Sequence, residues 1–221
     1  MTQFIPEEAR RLHALDEGLR AEADRMLAAS GLGEIIREAG HVPVGSYVMR
    51  TMTWRDLDFE RTEDEPDWDG HWALGARLAK TGWLWRTSCV DAYRDPRDPE
   101  GRGLYWGLRA ADPKGGPTWK LDLWTARAAE FEPATPKREE WRRNMTEDAR
   151  VHILAIKEAI CQAPEYRDTL LSVHVYEAVL EQGVRGLEAF REWWQAIYGV
   201  AARLRGKDAQ ILDPSQRTHN L

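Results

Sequence analysis

Cysteine is almost missing from this chain. Cys89 and Cys161 are the two present in 221 residues, too few for a disulfide framework and in keeping with a reduced compartment. Long apolar runs are missing too: none approaches the roughly 20 residues that span a bilayer, so no membrane partner is expected. The opening Met-Thr-Gln-Phe-Ile-Pro-Glu-Glu lacks the basic-then-apolar pattern of a secretory signal, which makes the cytoplasm the expected location. An excess of positive charge is missing as well, with 37 acidic against 31 basic residues. A formal net charge of −6 disfavours long nucleic acids as partners, because these are held by many Lys and Arg contacts to phosphate. His41, His71 and His152 show no metal-ligand spacing with either cysteine, which argues against a zinc site. Neither Gly-x4-Gly-Lys-Ser nor Gly-x-Ser-x-Gly occurs, and P-loop and hydrolase readings fall away with them.

What is present describes an ordinary globular protein. Hydrophobic residues make up 43% and charged residues 31%, in a chain long enough for one large domain or two small ones. Eleven tryptophans are unusual for this length; most are expected to pack the core.

Periodicity predicts an amphipathic helix over 6–29, with Leu12, Leu15, Leu19, Met26 and Leu27 on one stripe and Pro6, Glu7 and Glu8 in its first turn. Gly31 and Gly33 interrupt it, and a short piece through Ile35 and Ile36 ends at Gly40. His41 to Val44 reads as a brief strand, and Tyr47 to Thr51 as a short helix whose exposed N–H groups suit an anion. Trp54 to Arg61 is a strand, 63–69 an acidic loop, and a helix is expected around 72–80. Further strands are expected at 83–93, 103–110 and 118–125, separated by the turn-rich segments 94–101 and 112–117. Such short connections imply antiparallel pairing in part of the sheet.

After Pro133 and Pro136 the pattern becomes helical. Apolar faces run over 147–161 (Val151, Leu154, Ile156, Ile160), 172–182 (Val173, Tyr176, Val179, Leu180, with Gly183 as cap) and a last helix carrying Leu187, Phe190, Trp194 and Ile197. The expected fold class is α+β: a mixed sheet flanked by helices, then a helical domain. The boundaries are 1–133 for the first domain with its N-terminal helix, 134–204 for the helical domain and 205–221 for a loose polar tail.

The residues that carry chemistry lie in the first domain. Val44-Gly45-Ser46 is followed, nine residues later, by Asp56-Leu57-Asp58. Strand alternation puts Asp56, Asp58 and Glu60 on one face and Leu57 and Phe59 on the other. The two aspartate Cα atoms then lie about 6.6 Å apart, so their carboxylates can converge on one hard cation. A third acid, Asp122, sits inside Lys120-Leu121-Asp122-Leu123-Trp124. Acids aimed out of apolar strands are costly in a core and sensible in a metal site. The alternative is an acidic turn paired with Arg50 and Arg55. Lys137, Arg138, Arg142 and Arg143 form a basic cluster, read as a solvated helix face.

This arrangement resembles the nucleotidyltransferase superfamily typified by DNA polymerase β, including its small bacterial antibiotic-modifying branch. The matching positions are Gly45, Ser46, Asp56, Asp58 and Asp122, and the resemblance covers roughly residues 25–130. It implies a metal-dependent enzyme that moves a nucleoside monophosphate from an NTP to a hydroxyl of an unidentified small-molecule acceptor. Asp56, Asp58 and Asp122 would be both catalytic and metal-binding, with Mg²⁺ as the ion and Mn²⁺ as its alternative. Gly45 and Ser46 would hold the triphosphate. Lys120, on the face of Asp122, would neutralise phosphate charge or pair with an acid. Arg50 would reach the γ-phosphate or form a surface salt bridge. Tyr105, Gly107 and Arg109 share a strand face, with room expected beside Gly107 for a ligand. His174, on the helical domain, is either a packing residue or a contributor to the acceptor pocket. Two other readings stay open: a non-catalytic nucleotide-binding or regulatory relative, and a toxin-like modifier of a protein or tRNA.

Overall fold

The computed structural model describes residues 6–95, 103–131, 135–161 and 170–199. The tail at 205–221, the end of the helical domain and most of the 94–101 loop lie outside these. The chain folds as two compact units, one running through Asn144 and the other from Met145 on.

The first unit is built on a five-stranded mixed sheet. It opens with helix α1 (Pro6–Ser30) and helix α2 (Leu32–Glu38). Strand β1 (Val42–Val44) runs directly into helix α3 (Gly45–Met49), so that helix begins at the Gly-Ser step itself, two residues before the expected start. Strand β2 (Asp56–Glu63) follows, then helix α4 (Trp68–Ala79). Part of the presumed acidic loop is thus helical. Asp67 explains this, since its carboxylate accepts the Gly70 N–H at 2.9 Å and caps α4. Strands β3 (Leu84–Asp91), β4 (Leu104–Ala110) and β5 (Trp119–Arg127) complete the sheet. Helices α5 (Ala128–Phe131) and α6 (Thr135–Asn144) end the unit. The boundary expected at 133 leaves α6 with the later helices. In the structure α6 goes with the sheet, tied to β2 by an Arg138–Glu60 ion pair.

Strand order is β1-β2-β5-β4-β3. The β1–β2, β3–β4 and β4–β5 pairs are antiparallel, and β2–β5 is parallel. The parallel pair places Asp56 beside Lys120, Asp58 beside Asp122 and Glu60 beside Trp124.

One face of this sheet makes the core. Leu57, Phe59, Trp106, Leu108, Leu121 and Leu123 point into a cluster with Leu19, Ala23 and Met26 of α1, Leu32 and Ile36 of α2, and Leu74 and Leu78 of α4. The spacing of three and four in α1 is what puts its apolar stripe there. Asp16 lies on the same buried stripe, and its carboxylate accepts the Met52 N–H at 2.8 Å. That bond offsets the cost of burying it. With Leu57 and Phe59 of β2 and Trp119, Leu121 and Leu123 of β5 committed to the core, Asp56, Asp58 and Asp122 fall on the opposite face.

The second unit is helical where described: α7 (Glu147–Ile160), α8 (Ser172–Tyr176) with a final π-helical turn (Glu177–Glu181), and α9 (Leu187–Ile197). Thr146 caps α7 by accepting the Ala149 N–H at 3.1 Å. Ile153, Leu154, Ile156, Val175, Ala178, Val179 and Phe190 are buried. Among the described residues of both units, no helix is long and apolar enough to cross a membrane.

Candidate metal centre on the open sheet face

Asp56 and Asp58 come from β2 and Asp122 from its parallel neighbour β5. One carboxylate oxygen from each lies within 4.8 Å of the others. The convergence follows from register: Asp58 and Asp122 are side by side across the pair, and Asp56 is two residues along the same face. All three are half-buried.

Lys120 is the counter-charge. Its Nζ donates to Asp56 Oδ1 at 3.0 Å and also to Asp122 Oδ2, so the ammonium sits between two of the three acids. The Lys120 and Asp56 side chains are 20% and 16% exposed. Burial alone pushes the Lys120 pKa down, but the charges of Asp56 and Asp122 outweigh it and the net direction is up. Of the two roles considered for Lys120, the structure shows the ion pair, made with both acids.

Each acid also has a neutral partner or neighbour. The Trp54 indole N–H donates to Asp56 Oδ2 at 3.2 Å, and the Tyr105 hydroxyl donates to Asp122 Oδ1 at 2.9 Å. Burial, then the charge of Asp122 and this bond, raise the Tyr105 pKa far above its usual value, so the phenol stays protonated. Gly45 approaches Asp58 closely. At φ +63° it adopts a left-handed conformation, and a Cβ there would stand 2.6 Å from Asp58 Oδ2. No other residue fits that step without strain.

The space expected beside Gly107 is filled. Gly107 lies opposite Asp122 across β4–β5 and opposite Ser88 across β3–β4. A Cβ on it would be 2.5 Å from the Tyr105 hydroxyl and 2.6 Å from the Ser88 hydroxyl. The missing side chain thus serves the protein's own tyrosine, which crosses it to reach Asp122.

Arg50 takes the surface option of the two considered. It follows α3 at φ 56°, with its guanidinium 4.0 Å from Glu17 of α1. Arg55, weighed as a partner of the acid pair, instead binds Glu22 of α1 at 2.6 Å. Arg138, placed by sequence on a solvated face, forms a two-pronged pair with Glu60, with a second contact at 2.7 Å. Glu60 is thereby spoken for, two positions beyond Asp58. His174 belongs to the second unit and is used structurally: its Nδ1 accepts the Leu171 N–H at 3.1 Å and its ring lies 4.3 Å from that of Tyr198.

Tyr105, Trp54 and Arg138 were not singled out for these roles. For Tyr105 a signal existed: a β4–β5 hairpin about the 112–117 turn pairs 107 with 122, and Tyr105-x-Gly107 then leaves a path for the hydroxyl. His71 and Cys89 form a second pair on the core side, with Nε2 and Sγ 3.4 Å apart. Burial lowers the His71 pKa to about 4 and raises that of Cys89, so neither is charged as a nucleophilic pair requires.

A comparison with protein-family models finds no match, and neither does a comparison with curated proteins.

Proposed function

We propose that the chain is a metal-dependent nucleotidyltransferase, with the fold of the DNA polymerase β superfamily, that transfers a nucleoside monophosphate from an NTP to a hydroxyl of a small molecule. One observation carries the reading: three carboxylates from two parallel strands converge within 4.8 Å directly beside Gly45, the close-approach glycine of the Gly-Ser step.

The donor set fits a hard divalent cation, because three carboxylate oxygens on a half-buried face suit magnesium or manganese and, among the described residues, no nitrogen or sulfur ligand accompanies them. Bound by Asp56, Asp58 and Asp122, that ion would supply positive charge to the triphosphate and the transferred group. The chain's own residues do the rest. Gly45 lets backbone approach the phosphates, and Ser46 offers a hydroxyl to them. Lys120, at the edge of the acids, turns its ammonium from carboxylate to phosphate oxygen. Asp122 takes the proton of the attacking hydroxyl at Oδ2, the oxygen that Lys120 vacates, while Tyr105 keeps Oδ1 in place. The acceptor oxygen bonds to the α-phosphorus and pyrophosphate leaves with the electron pair of the broken P–O bond.

Thermal denaturation of the purified protein with ATP, with Mg²⁺, and with both tests this. Stabilisation by the two together should exceed the sum of each alone, since clustered carboxylates repel an unchelated triphosphate. Equal stabilisation by ATP without the metal would overturn the site. Release of pyrophosphate on adding a pool of hydroxyl-bearing metabolites would separate the enzyme from a non-catalytic binder.

A further inference from the structure

The acid-bearing face also carries a row of cations. Arg86 on β3 pairs with Arg109 on β4, and Arg109 pairs with Lys120 on β5. Residues opposite one another across strands share a face, so all three cations lie on the side of Asp122. Like charges placed directly opposite are destabilising. Lys120 is compensated by Asp56 and Asp122. The two arginines are not: among the described residues neither forms an ion pair, and the Arg109 guanidinium donates only to the Leu108 carbonyl oxygen, at 3.2 Å. Edge protection accounts for Arg86, since β3 is the last strand of the sheet. It does not account for Arg109, which is half-buried on an inner strand with a cation on either side.

We propose that Arg109 and Arg86 form an anion subsite, and that the acceptor is a small molecule carrying a phosphate or carboxylate besides the hydroxyl it presents to Asp122. The word acceptor rests on the nucleotidyltransferase reading; the anion subsite does not. Position assigns the roles. Gly45 and Ser46 follow β1 and flank the acids on the β2 side, whereas the arginines flank them on the β4 and β3 side. Asp122 lies between. At about 4.8 Å per strand, Arg109 is one strand and Arg86 two strands from β5, so a group held there sits some 5–10 Å from the reacting hydroxyl. That is the span of a sugar phosphate or hydroxy acid. The planar forks of two arginines match phosphate and carboxylate oxygens in pairs. The acceptor would lose only its hydroxyl proton, to Asp122, and its anionic group would pass through the reaction unchanged.

The test titrates inorganic phosphate, and separately acetate, into the full chain saturated with Mg²⁺ and a non-hydrolysable ATP analogue, so that the triphosphate position is already filled. Wild type should bind at least one of the two anions. Arg86→Gln/Arg109→Gln should weaken that binding by about tenfold or more, while analogue affinity stays within about twofold. Arg109→Lys, which keeps the charge, should recover part of the loss and guards against a folding defect. Whichever anion shows the larger dependence identifies the group. Anion binding that is absent, or indifferent to both arginines, overturns the proposal, as does a matching loss of analogue affinity, which would give the arginines to the triphosphate. Repeating the phosphate titration on metal-free Asp58→Asn keeps the two readings apart: arginine-dependent binding there, with no metal-dependent nucleotide binding in wild type, leaves the subsite standing and removes the transferase.

Discussion

Lys120 sets the terms on which three carboxylates share one sheet face. Because it bridges Asp56 and Asp122, replacing either acid removes an attachment for a largely buried ammonium as well as a proposed metal ligand. Asp56→Asn should therefore lower thermal stability, by about 1 kcal/mol, and should abolish the synergy between Mg²⁺ and ATP in the same melting experiment. Asp122→Asn should behave differently under the proposed mechanism. It should keep Mg-dependent nucleotide affinity within about tenfold, roughly 1.4 kcal/mol, and lose at least about 10²-fold in turnover with a true acceptor. Calorimetry with a non-hydrolysable triphosphate checks the first half now; loss of binding as complete as in Asp56→Asn would refute the division of labour. Gly45→Ala joins stability to function at one atom. A left-handed φ and a Cβ 2.6 Å from Asp58 Oδ2 should cost about 1 kcal/mol or more in chemical denaturation and, under the proposed function, weaken Mg²⁺ binding by displacing Asp58.

At the level of elements, the site depends on how strands are paired and on what ties α6 to them. The antiparallel β4–β5 pair sets Gly107 against Asp122 and lets Tyr105 reach over it. The parallel β2–β5 pair joins the acids. Arg138 then fastens α6 to the even-numbered face of β2 through Glu60, with both side chains partly buried. A bidentate pair in that setting is worth more than an exposed one. Arg138→Gln and Glu60→Gln should each destabilise the protein by about 1–2 kcal/mol, and a double-mutant cycle in urea should return a coupling above about 0.5 kcal/mol. Additive effects would show that α6 is held by something else. Arg138→Gln should leave Mg-dependent nucleotide binding nearly intact, because Glu60 is not among the three converging acids.

At the scale of the whole molecule, acid should act in part through two buried histidines of the first unit. His41 is buried against Thr125, 3.0 Å from its hydroxyl, and its pKa falls to about 4 through burial, then the charge of Arg61 and that of His71. His71 falls to about 4 mainly through burial. Both are lower in the folded chain than the value of about 6.5 expected when unfolded. Stability that rests on their neutral forms is therefore complete above pH 6.5 and lost as pH falls towards 4. Melting temperature should drop across that window, and His41→Gln should flatten the drop relative to wild type. A profile equally steep in His41→Gln and His71→Gln would place the acid sensitivity elsewhere, in the carboxylates or in His152, whose pKa burial also lowers.

Alternation and capping made much of this legible in the linear chain. Asp56 and Asp58 share a face because strand residues repeat every two positions, and Leu57 and Phe59 turn inward for the same reason. The three- and four-residue spacing in α1, and the apolar faces of α7 and α9, marked helices without reference to anything distant. An α+β unit followed by helices could be read from such local signals. The start of α3 at Gly45 and of α4 at Trp68 could not be placed as closely, since caps and backbone bonds settle helix ends. What the chain alone left open was the pairing of strands distant in sequence. Parallel β2–β5 contact decides that Asp122 stands beside Asp58; nothing in the spacing of 64 residues between them specifies it. Lys120 as a bridge, Arg138 on Glu60 and Arg50 near Glu17 all depend on neighbours brought from elsewhere in the chain. Local sequence determines which way a side chain faces; only the folded sheet determines what it meets there, because those partners come from strands and helices distant in the chain.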